Sequence, residues 1–407
     1  MNAEIDSMRR AEAPRVAVVA YTEYPWDSRV RREAEGLVAD GYIVHAIVAR
    51  PRSGPSATHI GDVHVHELPV SIRRGGKALY VYQYSLFFVL SAVLLLWLHT
   101  RRRFDLVHVH SLPDFQVFCA LPVRFLGAAI LLDLHEAMPE IFAARFRVGP
   151  NSLWVDIAAV LERLSCRFAN HVIVANDALR ATVVRRSARA DHVTTVYNSG
   201  DLASLDGGAM ERVRALRLAT DRLIVHAGGV NPERDLETLI RAVALLPNGA
   251  DAHLVVAGEG DQAYVELLRQ LARDLGIQDR IRFVGKLSRE EAHALMSFST
   301  VGVVTLEANP LTELAWPTRI VEFARLRKPL VVPRLHFLQA TLEDGALYYS
   351  PGDPASLAEE LQRAFLAPER REVAIAKAEA ICRRFEWTRM RAVLLEICRS
   401  IGGTHVA

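Results

Sequence analysis

The chain has 407 residues, 51% of them apolar and 24% charged, with a formal net charge of +2. That length suits two or three domains rather than one core, the composition is globular, and the balance of charge gives no global argument for nucleic acid. The cysteines Cys119, Cys166, Cys382 and Cys398 are scattered, without a C-x-x-C pair or a companion histidine set, which speaks against a disulfide framework or metal cluster and for buried thiols in a reducing compartment.

Residues 1 to 13 are polar and charged and read as a loose tail, not as a signal peptide or an anchor. Arg15 to Ala20 is a valine-rich run that reads as a buried parallel strand. From Ser28 the apolar positions Val30, Ala34, Leu37 and Val38 follow a helical spacing until Gly41, and Tyr42 to Ala49 reads as the next strand. This βαβ unit begins a doubly wound domain. No glycine-rich dinucleotide fingerprint follows the first strand, which argues against a nicotinamide or flavin enzyme. Asp62 to Val70 is a further candidate strand. Leu79 to Leu98 then contains no charged residue and is flanked by Arg73, Arg74 and Lys77 on one side and by Arg101, Arg102 and Arg103 on the other. About 20 apolar residues suffice to cross a bilayer, but a crossing here would divide one sheet between two sides of a membrane. Two readings stay open: a helix lying in the membrane interface, held by apolar area and arginines, and a long core helix packed on the sheet.

Asp105 to His110 is the next strand, with His108 and His110 on one face. A pair at this spacing could ligate a metal, but no third ligand accompanies it in the sequence. Phe115 to Phe125 is helical in pattern, and Ala129 to Leu134 is a strand that runs into Asp133-Leu-His-Glu136. Ligands of parallel α/β sheets bind outside the carboxyl ends of strands, which makes His135 and Glu136 candidates for function. A helix from Leu153 to Phe168, a strand His171 to Ala175, a helix from Asp177 and a strand His192 to Val196 complete the half. The turn Asn198-Ser-Gly-Asp201 marks the boundary. The expected domains are 14–200 and 201–385, with a C-terminal helix at about 386–407 packing back on the first.

The second half repeats the pattern. Strand Leu223 to His226 leads to the turn Ala227-Gly-Gly-Val-Asn-Pro-Glu-Arg234, strand His253 to Ala257 to Gly258-Glu-Gly-Asp261, and strand Arg280 to Val284 to Gly285 and Lys286. Ser288-Arg-Glu-Glu291 is a capping box for the next helix. Strand Val301 to Leu306 then feeds the polar stretch from Asn309, in which Pro317 is expected in the first turn of a helix running to about Leu326. A polar loop leading into a helix N-terminus offers amides and a positive dipole end to an anion. The expected fold is α/β, two Rossmann-like doubly wound domains facing across a cleft. The turns at Gly228-Gly229 and Gly258-Glu-Gly260, with Arg234, Lys286 and Arg319, would line its C-terminal wall as a nucleotide-diphosphate site.

Asp27-Ser-Arg-Val30, Asp105 to His110, Asp133-Leu-His-Glu136, Asn198, Gly228 to Arg234, Val256-Ala-Gly-Glu-Gly260, Phe283-Val-Gly-Lys286 and Pro317-Thr-Arg-Ile-Val-Glu322 together resemble, in order and spacing, the retaining glycosyltransferases of family 4, which have the GT-B fold. By that resemblance Glu322 would accept hydrogen bonds from the ribose of a sugar nucleotide and Arg234 would hold its diphosphate. Gly228, Gly229, Gly258, Glu259, Lys286, Thr318 and Arg319 would complete the donor site. His135 would contact the donor sugar beside the reacting carbon, and Glu136 beside it stays a catalytic candidate from its place at the strand end. The family's usual arginine after the first C-terminal glycine is replaced by Gly229, so diphosphate binding leans on Arg234 and Arg319. Its usual first glutamate falls at Leu314, one place from Glu313, which leaves either Glu313 or the amides of the loop 309–314 to orient the sugar. The implied donor is a UDP- or GDP-sugar, and the acceptor a glycan or lipid-linked sugar. No cofactor and no metal is implied, and the expected location is cytoplasmic, peripheral to the membrane if Leu79 to Leu98 is interfacial. A sugar-nucleotide epimerase of the same fold and a glycosyltransferase-like subunit without turnover are the alternatives.

Overall fold

A computed structural model describes residues 13–51, 58–73, 75–146, 148–149, 152–200, 202, 207–216, 222–247, 251–366 and 368–402. Arg74, Asp201 and all but the last residue of the expected tail lie outside the described residues, as does the side chain of Lys77. The chain divides into two compact units, Met1–Tyr197 with Met390–Ala407, and Asn198–Arg389.

In the first unit the order is β1 (Arg15–Ala20), α1 (Ser28–Val38), β2 (Ile43–Ala49), β3 (His59–Ile60), β4 (Val63–Leu68), α2 (Lys77–Arg102) and β5 (Leu106–His110). It continues with α3 (Leu121–Phe125), β6 (Ala129–Leu134), α4 (Met138–Phe146), α5 (Leu153–Phe168), β7 (His171–Val174), α6 (Asp177–Arg186) and β8 (Val193–Thr195). The eight strands pair in the order β3-β4-β2-β1-β5-β6-β7-β8, all parallel except β3 against β4. Strands β5 and β6 are buried along their whole length, as apolar runs in a sheet covered on both faces should be. Chain order reverses between β1 and β5, so the carboxyl ends of these two strands form the switch point at which such sheets bind ligands.

The expected helix from Phe115 to Phe125 is instead a 3-10 stretch, Asp114–Ala120, followed by the short α3 with Pro122 in its first turn. Proline lacks the amide that a continuous ladder would need. Helix α4 was not anticipated from sequence. Its Pro139 occupies the second helical position, where no amide partner is lost. Helix α2 has two faces. Gln83, Phe87, Ser91 and Leu95 are buried, while Val81, Val89, Val93 and Trp97 are exposed on the opposite side. The helix is long and apolar enough to cross a membrane, yet its inner row packs on β1, β2 and β4. It is therefore neither a free span nor a fully buried core helix.

The second unit contains α7 (Gly207–Arg214), β9 (Arg222–Ala227), α8 (Leu236–Leu245), β10 (Ala252–Ala257), α9 (Gln262–Asp274), β11 (Ile281–Gly285), α10 (Arg289–Phe298) and β12 (Val301–Val303). After these come α11 (Thr318–Arg325), β13 (Leu330–Pro333), α12 (His336–Leu342), β14 (Ala346–Tyr349), α13 (Pro354–Leu366) and α14 (Pro368–Cys382). The last helix, α15 (Trp387–Gly402), begins in this unit and continues from Met390 in the first. Six parallel strands pair in the order β11-β10-β9-β12-β13-β14, with the switch point between β9 and β12. The apolar faces of α8 and α13 close over this sheet in one core that includes Leu239, Ile240, Val243, Leu357 and Leu361.

Candidate active site

At the switch point of the first unit a charged network is buried. Asp27 caps α1, its carboxylate accepting from the amides of Arg29 and Val30, both at 3.1 Å. This fixes the first turn and aims Arg29 inward. The Arg29 guanidinium donates from Nε and Nη2 to the two oxygens of Asp133, at 2.7 and 2.8 Å, and from Nη1 to the carbonyl of Val196 at 2.9 Å. The bidentate pair is buried on both sides, with side-chain exposures of 4% and 0%. Burial would raise the Asp133 carboxyl, but Arg29 and then His135 outweigh it and hold it well below the usual carboxylate range.

His110 and His135 converge on the same carboxylate. Asp133 Oδ2 lies 3.0 Å from His110 Nδ1 and 3.1 Å from His135 Nε2. The His135 amide donates to Ser111 Oγ at 3.1 Å, which ties the end of β6 to the end of β5. The His135 side chain is 22% exposed. Its pKa is raised: burial lowers it, but the Asp133 charge and hydrogen bond raise it more. With Nε2 turned inward, Nδ1 has no hydrogen-bond partner among the described residues. Glu136 is exposed and does not share the buried carboxylate of Asp133.

Sequence gave His108 and His110 no third ligand; the fold brings Glu33 and Asp133 to them, four potential ligand atoms within 4.8 Å of one another. Arg29 sits in this cluster, bonded to both oxygens of Asp133 and 3.2 Å from Glu33. A fixed guanidinium at the centre of a ligand set opposes a second cation. Burial raises the Glu33 carboxyl and pushes His108 well down, both toward their neutral forms.

In the second unit, the turns after β9 and β10 stack backbone on backbone. The Gly228 amide donates to the carbonyl of Ala257 at 2.9 Å, and that of Val230 to Glu259 at 2.9 Å. Gly258 has φ +153°, and a Cβ there would collide with the Gly228 carbonyl oxygen; a Cβ at Gly260 would meet that of Val230. These two glycines are required by the packing of turn on turn, a role distinct from the expected close approach of backbone to phosphate. Burial and then the Arg234 charge bring His226 down to about 4, so its neutral ring donates from Nε2 to the Gly229 carbonyl at 3.3 Å. Arg234 ends a 3-10 turn whose carbonyl accepts from Thr305 Oγ1 at 2.5 Å. Lys286 lies 3.7 Å from Glu259, both well exposed.

Helix α11 starts at Thr318; Pro317 is its N-cap residue rather than part of the first turn, and no side chain caps the helix. Phe323 lies against Gly302 of β12, where any Cβ would strike its ring. That contact seats the helix and turns the neighbouring Glu322 inward. The Glu322 carboxylate is nearly buried and ion-paired with Arg319. His293 Nε2 lies 3.7 Å from it, and a Cβ at Gly200 would overlap it. Burial raises the Glu322 carboxyl, but His293 and Arg319 more than offset this and keep it below its ordinary value. Arg319 therefore folds onto Glu322 instead of standing apart toward phosphate, as the sequence had suggested. His293 was missed, because nothing in its local sequence marks it, and Gly200 was read only as part of the boundary turn.

Glu313 accepts from the amide of His336 at 3.0 Å, closing the start of α12. The amides of Asn309, Leu311, Thr312, Glu313 and Leu314 all donate within their own loop. Both expected means of orienting a sugar here are already engaged in holding the loop.

Two family models match the chain: "Glycosyl transferase 4-like domain" over residues 27–199 and "Glycosyl transferases group 1" over 211–380. The chain belongs to the group 1 glycosyltransferases, family 4. The chain is 28% identical over 244 residues to the D-inositol 3-phosphate glycosyltransferase of Saccharomonospora viridis, covering 57% of this chain and 56% of that one. It is 29% identical over 159 residues to the enzyme of the same name from Mycolicibacterium gilvum, covering 38% and 34%. The matches thus span about half or less of these relatives. Sucrose-phosphate synthase from Thermosynechococcus elongatus superposes with a TM-score of 0.78 at 17% identity, covering 96% of this chain and 100% of that one. Anabaena HepE in complex with UDP-glucose gives 0.70 at 18% identity, covering 95% and 99%. At these identities the likeness shows the fold, and that fold is GT-B.

Proposed function

We propose that this glycosyltransferase moves a hexose from a nucleotide-diphosphate sugar to an acceptor hydroxyl with retention of anomeric configuration, in the assembly of a cell-surface polysaccharide or glycolipid. The observation that carries the donor assignment is Glu322, a nearly buried carboxylate kept ionised about one turn into a helix that no side chain caps. An ionised, acceptor-only group suits a ribose diol, and the start of the same helix, which no side chain caps, suits a phosphate. HepE's complex with UDP-glucose supports the same donor class.

In this reading Arg234 and the α11 N-terminus take the charge that builds on the leaving diphosphate, which is where catalysis gains most. Arg319 holds Glu322 until the donor arrives. His135 contacts the donor sugar through Nδ1, its ring set by Asp133. The bond from the anomeric carbon to the diphosphate breaks as the acceptor oxygen bonds the same face, and the hydroxyl proton passes to the departing phosphate oxygen. Arg29 at the heart of the acidic and histidine cluster supports chemistry without a bound metal. The exposed row of α2 supports a peripheral location at the inner face of the membrane.

The test is incubation with UDP-glucose and GDP-mannose. Slow nucleotide release, quickened by acceptor, is expected; interconversion of the sugar would make it an epimerase. A second reading, a donor-binding subunit without turnover, is favoured by the engagement of Glu313 and the loop amides. Binding without any release would establish it.

A further inference from the structure

The first unit contains a cavity of about 320 Å³ that the donor chemistry does not use. Its walls are Tyr80 and Tyr84 of α2, Phe142 and Phe146 of α4, and Trp154 and Leu161 of α5, with Leu112, Pro113 and Phe115 at one end. That end follows directly from the site: Leu112 is two residues beyond His110, and Met138, also in the wall, is three beyond His135. Three residues reach at most about 11 Å. The other end opens between Val81, Trp154 and Ile157, all of them both lining and exposed.

The mouth lies in a larger apolar surface. On α5 the residues Leu153, Ile157, Val160 and Leu164 recur at helical spacing, are 70, 41, 50 and 47% exposed, and face outward, while Ala158, Glu162 and Ser165 pack inward. The outer row of α2 adds Val89, Val93 and Trp97, and the end of α3 adds Phe125 at 84% exposed. Apolar rows exposed on two helices that both line one cavity are more than single scattered exposures, and such surfaces mark interaction or membrane sites. The α2 stripe ends in Arg101, Arg102 and Arg103, all exposed, with the Arg101 guanidinium 4.0 Å above the Trp97 ring. Aromatic and basic groups at the rim of an apolar face match an anionic lipid surface.

The cavity is held open. Arg186 of α6 donates to both oxygens of Glu140 on α4, at 2.6 and 3.0 Å, and to both of Glu162 on α5, at 2.8 and 2.5 Å. This double clamp fixes the spacing of two cavity walls, so that they do not collapse on one another.

We propose that this cavity takes the hydrocarbon chain of the acceptor, an anionic lipid drawn from the bilayer, so that the hydroxyl carried by its head group is delivered toward His135. The proposal rests on the glycosyltransferase reading and names its acceptor class. The volume is at the lower end for ligand pockets. Counting roughly 30 Å³ per heavy atom, the volume share of a water, it admits roughly ten chain atoms.

The test uses the full chain and n-alkyl maltosides of six to fourteen carbons, each below its micelle concentration, titrated by calorimetry. Affinity should rise roughly fourfold per methylene and level off near ten to twelve carbons. Ala158→Phe, which fills the cavity, and Ile157→Asp, which places a carboxylate at the rim without touching the core, should each weaken dodecyl maltoside binding at least tenfold. Phosphatidylglycerol vesicles should float the protein and phosphatidylcholine vesicles should not, with flotation lost when Arg101, Arg102 and Arg103 are all changed to Ser. A rise without a plateau, or unchanged binding in both variants, overturns the proposal. So does a dimer in light scattering that Val89→Asp splits and that binds no maltoside, since the face would then belong to a second copy. UDP-glucose hydrolysis in the same samples reads the donor chemistry, so an unaltered chain that hydrolyses the donor but binds no maltoside refutes the lipid chain and not the transferase.

Discussion

Arg29 and Asp133 are 104 residues apart and meet in a buried, bidentate pair. Removing one partner leaves the other charged and unsolvated, which typically costs about 3–5 kcal/mol. Arg29→Met should therefore lower the unfolding free energy read from denaturant curves by that order, while the exposed pair Arg189–Asp191 should be dispensable in the same assay. Asp133 also sets His135. Because the folded pKa of His135 is raised, the imidazolium contributes stability that is complete below about pH 6.5 and lost as pH rises through the folded value. The deficit of His135→Ala should accordingly shrink on passing from pH 6 to pH 9, as read by urea midpoints at each pH. Asp133→Asn should bring the His135 titration in NMR down. A titration left in place would remove Asp133 as its cause. On the donor side, Glu322→Ala and Arg234→Ala should each cost roughly a hundredfold or more in turnover with circular dichroism unchanged, whereas Glu313→Gln, whose carboxylate serves a helix start, should act mainly on stability.

At the scale of elements, the two stacked turns separate two demands on glycine. Gly228 and Gly258 both hold positive φ, but a Cβ on Gly228 would meet its nearest atom, His226 Nε2, at an ordinary 3.9 Å, while one on Gly258 would enter the Gly228 carbonyl. Gly228→Ala should then cost only the backbone strain, about 1–3 kcal/mol, and Gly258→Ala clearly more, as measured by thermal unfolding of the two variants side by side. Equal losses would mean that the turns part easily. Strands and most helices were legible from valine runs and 3.6-residue spacing, because burial on both faces writes itself into composition. Helix α4 was not, since its short run from Met138 to Phe146 carries only a weak amphipathic pattern. Nor was the face of α5: Leu153, Ile157, Val160 and Leu164 follow the periodicity of a core stripe and yet point outward, so periodicity identified the helix without giving its direction. The histidine and acidic network was half legible. Its motifs were visible on separate strands, but the guanidinium that joins them is a consequence of topology alone.

At the scale of the whole molecule, the chain leaves the first unit at Tyr197 and re-enters it at Met390, so the first domain is completed only after the second has been made. The returning part of α15 is structural. Leu394, Leu395, Ile397 and Cys398 are buried, Met390 Sδ accepts from the Tyr197 amide at 3.1 Å, and Arg399 bonds Asp40 at 2.5 Å. Burying a large aliphatic side chain contributes about 1.5–3 kcal/mol, so three of them approach the entire net stability of a domain, about 5–15 kcal/mol. The surface pair Arg399–Asp40 adds little by comparison. A chain ending at residue 389 should thus lose cooperative melting of its first unit, while the second still binds UDP with the affinity of the full chain. Adding a peptide of residues 387–402 should restore a cooperative transition, with a midpoint that rises with peptide concentration as mass action requires. Arg399→Ala in the full chain should shift the melt only slightly. If the truncated chain melted as the full one does, the buried leucines of α15 would be covering surface that the first unit can close without them.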